Sequence, residues 1–210
     1  MEDGKKGKLI ILDGIDGCGG ETQTRILKER LEKEGEKVKL FSFPNYDRPI
    51  GKLLDNYLNS SYELEGEVLA LIYYADFVDA RKKIQKALEE GFVIICDRYL
   101  TSTITYQDIQ GVDVNNIISL TEKFAIPKPD IAIYLSISPE TSAKRKFAEK
   151  GNLDRHEKDL IFLDKVIKKY IKNAENNVYC KQQIIDAEKP IDEVAQNIYS
   201  AIIPIIKDHQ

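Results

Sequence analysis

No apolar run in this chain of 210 residues is long enough to cross a bilayer. The longest, such as Leu9 to Leu12 and Phe92 to Cys96, fall far short of the roughly 20 residues that a spanning helix needs. Charge of one sign is also lacking: 31 basic side chains are interspersed among 35 acidic ones, for a net charge of −4. That balance supplies no overall field to draw in nucleic acid or an anionic membrane. Cysteine is scarce and odd in number, and Cys18, Cys96 and Cys180 have no close pairing, so reduced thiols in a cytoplasmic protein are the simpler expectation. Cys96 lies inside an apolar run and reads as core filler. The two histidines, His156 and His209, are far apart and carry no ligand spacing, which argues against a metal site built from histidine and cysteine. There is no repeat, low-complexity tract or linker rich in Pro, Gly or Ser, so one domain over 1–210 is expected. The opening residues MEDGKKGKLIILD begin with charge but hold no apolar core of signal-peptide length.

What the chain does hold is ordinary globular material, 42% apolar and 31% charged, enough for a substantial core. Short apolar runs at 8–13, 38–43, 92–97, 130–137 and 183–186 read as buried strands. Helical patterns fill 22–34, 49–59, 63–90, 114–124, 139–149, 156–175 and 191–207, with Ser138-Pro139 as a cap and first-turn proline. Strands apolar on both faces suit a parallel sheet covered by helices on both sides. The alternation therefore predicts an α/β fold whose ligands bind at the carboxyl ends of the strands, in the loops after Asp13, Phe43 and Asp97.

The loop Gly14-Ile15-Asp16-Gly17-Cys18-Gly19 follows a strand and precedes a helix, the setting in which backbone N–H groups cradle phosphate. Measured against G-x-x-x-x-G-K-[ST], Gly20 stands in place of the lysine and Glu21 in place of the hydroxyl residue. Thr22, one residue on, still offers a hydroxyl to a magnesium ion. Lysine at this point normally neutralises the β- and γ-phosphates during transfer.

Five stretches, in order, resemble the thymidylate kinase family: DGIDGCGGETQT, FPNYDRPIGKLLDNYL (43–58), LIYYADF (71–77), CDRYLTSTITYQ (96–107) and LDRHEKDLIFLDKVIKKY (153–170). The resemblance covers nearly the whole chain. It implies a P-loop kinase fold, with a five-stranded parallel sheet flanked by helices and a small lid at about 149–155. It further implies transfer of the γ-phosphoryl group of ATP, with Mg2+, to dTMP, and a homodimer. Carried over residue by residue, it makes Arg98 the fork on the acceptor phosphate and Asp97 the group that orients a magnesium-bound water or a loop group. An ion pair between these two is the structural alternative.

Asp16 matches a loop carboxylate near the acceptor sugar and the reacting phosphates, although it could instead cap N–H groups of the turn. Phe43, Pro44, Tyr46, Arg48, Tyr73, Phe77, Ser102, Tyr106 and Gln107 fall at acceptor positions. Tyr73 stacks on the base in that reading and is plain core in the other. Some members carry a loop arginine where this chain has Gly17, and members of that kind without it take catalytic cations from the lid. Arg145 and Arg155 are then the candidates, although with Lys144, Lys146 and Lys150 nearby they also read as a solvated basic face.

The chain departs from the family pattern at Gly20, at Tyr46, where many members have an arginine on the acceptor phosphate, and at Phe77, where an arginine usually bonds the thymine carbonyl. Three readings stay open: a kinase for dTMP, a kinase for another monophosphate, and a nucleotide-binding protein with weak transfer.

Overall fold

Residues 6–59, 62–150 and 159–208 are described by this computed structural model. Five strands form one sheet: β1 (Lys8–Asp13), β2 (Val38–Ser42), β3 (Val93–Asp97), β4 (Ile131–Ser136) and β5 (Gln182–Asp186). Their spatial order is β2-β3-β1-β4-β5 and every pairing is parallel. The helices of the described residues are α1 (Gly20–Lys33), α2 (Pro49–Leu58), α3 (Gly66–Glu89), α4 (Leu100–Ile109), α5 (Val114–Lys123), α6 (Pro139–Lys150), α7 (Leu160–Glu175) and α8 (Ile191–Lys207).

Successive side chains of a strand point to opposite faces, so β1 divides its apolar residues between two cores. Leu9 and Ile11 pack with Ile84, Leu100 and Ile104 of α3 and α4. Ile10 and Leu12 pack on the other face with Leu27 and Leu31 of α1, Val166 of α7, and Ile198 and Ile202 of α8. A smaller cluster of Leu54, Tyr57 and Leu69 fastens α2 to α3. The covered sheet expected from the apolar runs is therefore present, with strand limits within a residue or so of the sequence reading.

One feature differs from that reading. Helix α4 is absent from the amphipathic patterns because its buried residues, Leu100, Thr101, Thr103, Ile104, Thr105 and Gln107, run around the helix rather than along one stripe. Of the segment 149–155 expected as a lid, residues 151–155, Arg155 among them, lie outside the described residues. The cap at Ser138 is present, its Oγ accepting from Thr141 N at 3.2 Å.

Register decides what meets at the carboxyl edge. Leu12 of β1 lies opposite Asp97 of β3, and Arg98 N donates to Leu12 O at 2.8 Å. The loop after β1 and the segment after β3 thus leave the sheet side by side. Ile133 is fully buried in β4 between β1 and β5. Ile133→Ala is expected to lower stability by about 2–5 kcal/mol, seen as a lower urea midpoint at unchanged slope.

Candidate active site

The loop after β1 is held from both ends. Gly14 N donates to Asp13 Oδ1 (2.8 Å), Cys18 N to Ile15 O (3.1 Å) and Gln23 N to Gly19 O (2.9 Å). Gly17 and Gly19 have φ of 77° and 93°, the left-handed region that glycine enters without penalty. Ile15 and Cys18 are buried and anchor the turn from below. Burial pushes the Cys18 thiol up to about 12, with Arg98 opposing, so this cysteine is packing rather than a nucleophile. No side chain caps α1, which leaves its first-turn N–H groups directed out of the helix, where an anion would sit. Thr22, in that turn, is half-buried, and Glu21 is exposed beside it.

Asp13, just before the loop, is a hub that sequence reasoning did not assign to the site. Its carboxylate accepts from Thr101 Oγ1 (2.5 Å), Ser102 Oγ (2.5 Å) and Tyr170 Oη (2.9 Å). The Tyr170 ring in turn stacks on Tyr134 at 4.6 Å. One buried carboxylate therefore ties together the start of the loop at Gly14, the start of α4 and α7. The available signal was an acid ending an apolar strand directly before a glycine loop, where an unbonded carboxylate would be costly.

Asp97-Arg98-Tyr99 leaves β3 through a sharp bend. Arg98 has φ 64°, uncommon for a residue with a side chain and a form of local strain that clusters at functional sites. Its partner is Asp16, with Arg98 Nη2 donating to Asp16 Oδ1 at 3.0 Å, rather than the adjacent Asp97. Burial opposes the charge on Arg98, but Asp16, Tyr106, Tyr170 and Asp13 more than offset it and hold the guanidinium firmly protonated. The Asp97 side chain has no hydrogen bond to a described residue. Burial, chiefly, pushes its carboxyl up to about 6, with Asp13, Glu21 and Asp16 adding to the effect and Arg98 opposing it.

These groups line a cleft of about 370 Å³. Asp16, Glu21, Asp55, Asp76, Asp97, Arg98 and Lys146 make its charged lining, while Phe43, Pro44, Tyr46, Leu58, Tyr73, Phe77, Tyr99 and Tyr106 make its aromatic and apolar lining. The Phe43–Pro44 peptide is cis. Phe77 is 2% exposed and packs against Phe43 (4.9 Å) and Tyr99 (5.1 Å), so the position at which the resemblance implies an arginine is part of an aromatic wall. Tyr73 is half-buried on the cleft. Ser102 and Gln107 also line it, and Gln107 Oε1 is buried without a partner among the described residues. Arg48 does not line the cleft; it forms a fork on Asp79 (3.1 and 3.3 Å) at the surface.

Helix α6 lies across the loop. Ser142 Oγ donates to Asp16 O (2.6 Å), and Arg145 donates to Gly17 O (3.0 Å) and Ala187 O (3.1 Å). Arg145 thus clamps backbone to backbone, and among the described side chains of this helix the cation that reaches the cleft is Lys146. The helical spacing of Ser142 and Lys146, i and i+4, was the signal that places both on the loop-facing side.

No group of three or more His, Cys, Asp or Glu side chains among the described residues forms a metal cage. A magnesium ion bound mostly through substrate phosphates needs only one or two carboxylates. Asp97, an anion short of compensating partners, fits that requirement, with the Thr22 hydroxyl in the neighbouring helix turn. Because its folded pKa is raised from 3.8 to about 6, the neutral form of Asp97 favours the fold below pH 3.8, and that contribution is lost as pH rises through 6. Asp97→Asn is therefore expected to stabilise the ligand-free protein at pH 8, by at most about 3 kcal/mol, with the gain vanishing by about pH 4. Thermal melts of both proteins across this range measure it.

Residues 12–198 match the sequence model of the thymidylate kinase family. A probable thymidylate kinase of Archaeoglobus fulgidus is 35% identical over 92% of this chain and 94% of its own length. A thymidylate kinase of Schizosaccharomyces pombe is 32% identical over 81% and 78%. A solved thymidylate kinase structure from Candida albicans superimposes with a TM-score of 0.78 at 31% identity, covering 98% of this chain and 94% of that one. With a phosphate loop, an Asp-Arg-Tyr turn and an aromatic cleft at one edge of a β2-β3-β1-β4-β5 sheet, the chain belongs to the thymidylate kinase family.

Proposed function

We propose that this protein transfers the γ-phosphoryl group of ATP to dTMP, giving dTDP and ADP. The observation that carries this reading is the cleft itself. It sets a half-buried, permanently charged Arg98 beside the phosphate loop and continues into an aromatic wall that suits a nucleobase. The backbone of 14–22 binds the donor phosphates, and the helix N-terminus favours their charge. Arg98 grips the acceptor phosphate as a planar fork, and Asp16 holds that fork at 3.0 Å in the loop's reach. Tyr73 and Tyr106 flank the base, while Phe43, Pro44, Tyr46 and Phe77 enclose it. The unpaired Gln107 Oε1 offers an acceptor for a ring N–H, and its amide nitrogen a donor for a ring carbonyl, the pattern on the edge of thymine. Asp97 and Thr22 would hold a magnesium ion, which when bound draws charge off the β- and γ-phosphates. Catalysis by such a site is positioning and charge neutralisation without a covalent intermediate.

The compartment and assembly follow the same reading. Three free, buried cysteines suit the reducing cytoplasm. Val68 and Leu71, one turn apart on α3, are 44% and 57% exposed and offer apolar surface for a homodimer. Sedimentation at micromolar concentration is expected to give twice the chain mass of 24.0 kDa.

A second reading, nucleotide binding with little transfer, is favoured by Gly20. ADP release coupled to NADH oxidation, with dTMP as acceptor, separates the two. Release well above a no-acceptor control is expected, and silence across a panel of monophosphates would leave binding alone. Arg98→Met is expected to lower kcat/KM for dTMP by about 10²–10³-fold. A Cβ added at Gly20 would overlap Asp97 Oδ1, so a lysine there must displace that carboxylate. Gly20→Lys is thus expected to leave kcat within about tenfold of the wild type, whereas a rise of several orders of magnitude would mark the natural chain as a crippled kinase.

A further inference from the structure

Bringing a monophosphate dianion against ATP gathers six negative charges at neutral pH, and the loop that holds the donor phosphates has no cation of its own. Residues 14–22 read GIDGCGGET, without lysine or arginine. At Gly20, where a cation would normally stand, any side chain would have to push the Asp97 carboxylate aside. Arg145, the one arginine of α6, has two of its nitrogens committed to the carbonyls of Gly17 and Ala187.

One turn beyond Ser142, on the same face of α6, is Lys146. It is only 9% exposed, and it lines the cleft together with Asp16, Asp97 and Arg98. Its position relative to the loop is fixed by contacts that leave little play. Ser142 Oγ bonds Asp16 O at 2.6 Å, and a Cβ on Gly17 would already lie 3.1 Å from Ser142 O. A buried lysine stem is rare unless the ammonium has work or a partner. The partner on the same helix is Glu149, at 2.7 Å, whose own side chain is 60% exposed. An exposed carboxylate three residues away is a solvent-screened partner that holds the ammonium only weakly.

Resting on the proposed phosphoryl transfer, we infer that Lys146 is the catalytic cation this chain uses in place of the loop lysine, touching the phosphoryl group as it moves from ATP to the acceptor. In that step an oxygen of the acceptor phosphate forms a bond to the γ-phosphorus. The bond from that phosphorus to the β,γ-bridging oxygen breaks, and ADP leaves with the electron pair. ATP(4−) and dTMP(2−) become ADP(3−) and dTDP(3−), so no proton or further reactant is required. The charge that passes to the bridging and peripheral oxygens is what Lys146 neutralises. Lysine suits this task as a point charge on a flexible stem, reaching across from a helix rather than from the loop.

Lys146→Met, which keeps the stem and removes the charge, and Lys146→Arg, which keeps the charge, test the assignment beside the wild type. With ATP, Mg2+ and dTMP, Lys146→Met is expected to lower kcat by about 10²–10³-fold while both KM values stay within about threefold. Lys146→Arg is expected to recover to within about tenfold of the wild type. A second readout does not need turnover: calorimetric binding of adenosine and thymidine joined through five phosphates. Here Lys146→Met is expected to bind at least about tenfold more weakly, with a shallower dependence on salt, at an unchanged thermal midpoint. A purely structural lysine would instead lower the midpoint and leave the salt dependence alone.

The assignment is overturned if Lys146→Met keeps kcat within about threefold and binds the linked dinucleotide as the wild type does. If the wild-type protein transfers nothing, the kinase reading fails, and the binding measurement still decides the role of Lys146.

Discussion

The parallel pairing of β1 with β3 is the contact on which the site depends. Setting Leu12 opposite Asp97, and bonding Arg98 N to Leu12 O, makes two segments more than eighty residues apart leave the sheet at one edge. Shift that register by one residue and each side chain of the strand turns to the other face. Asp97 would then leave the cleft, and the Arg98–Asp16 pair would have no geometry. The register is held by apolar side chains on both faces of both strands, so the two hydrophobic cores and the site are one structural problem.

That edge gathers more acid than base. Asp13, Asp16, Asp97 and Glu21 converge there, and the structure treats them differently. Asp13 is satisfied internally by Thr101, Ser102 and Tyr170, and serves as scaffold. Asp16 is spent on holding Arg98. Glu21 is exposed to water, whereas half-buried Asp97 has a hydrogen-bond capacity that the described residues leave unused. A site that keeps one carboxylate in this condition stores an affinity for cation, at a cost to the unliganded fold. Among the described residues the positive side is as sparse as the negative side is rich, which is why the choice between Arg145 and Lys146 matters. Neighbours on one helix, they differ in direction by about 100°. One is tied to backbone carbonyls and the other reaches the cleft.

Much of this was legible in the order of residues. Apolar runs with polar limits marked all five strands, because a strand buried on both faces must be apolar throughout. The glycine loop was recognisable from its strand–helix setting, and Arg98, Tyr73, Phe43 and Tyr106 were named from motifs and do line one cleft. Helix α4 escaped the periodic patterns because burial all round erases the stripe that periodicity detects. Arg48, named from its proximity to Tyr46, turns instead to Asp79, since two residues of spacing near the start of a helix do not fix the direction of a long side chain.

By itself the sequence determined the class of fold, the phosphate loop and the family motifs, all of which are local patterns in which backbone propensity and burial act within a few residues. It also determined that Gly20 offers no cation. Only the tertiary structure decided which groups meet: that Arg98 pairs with Asp16 rather than Asp97, that Phe77 belongs to an aromatic wall, and that Lys146 faces the cleft while Arg145 clamps the loop. Those outcomes depend on sheet register and on how α6 crosses the loop, and both are set by packing between segments that are distant along the chain.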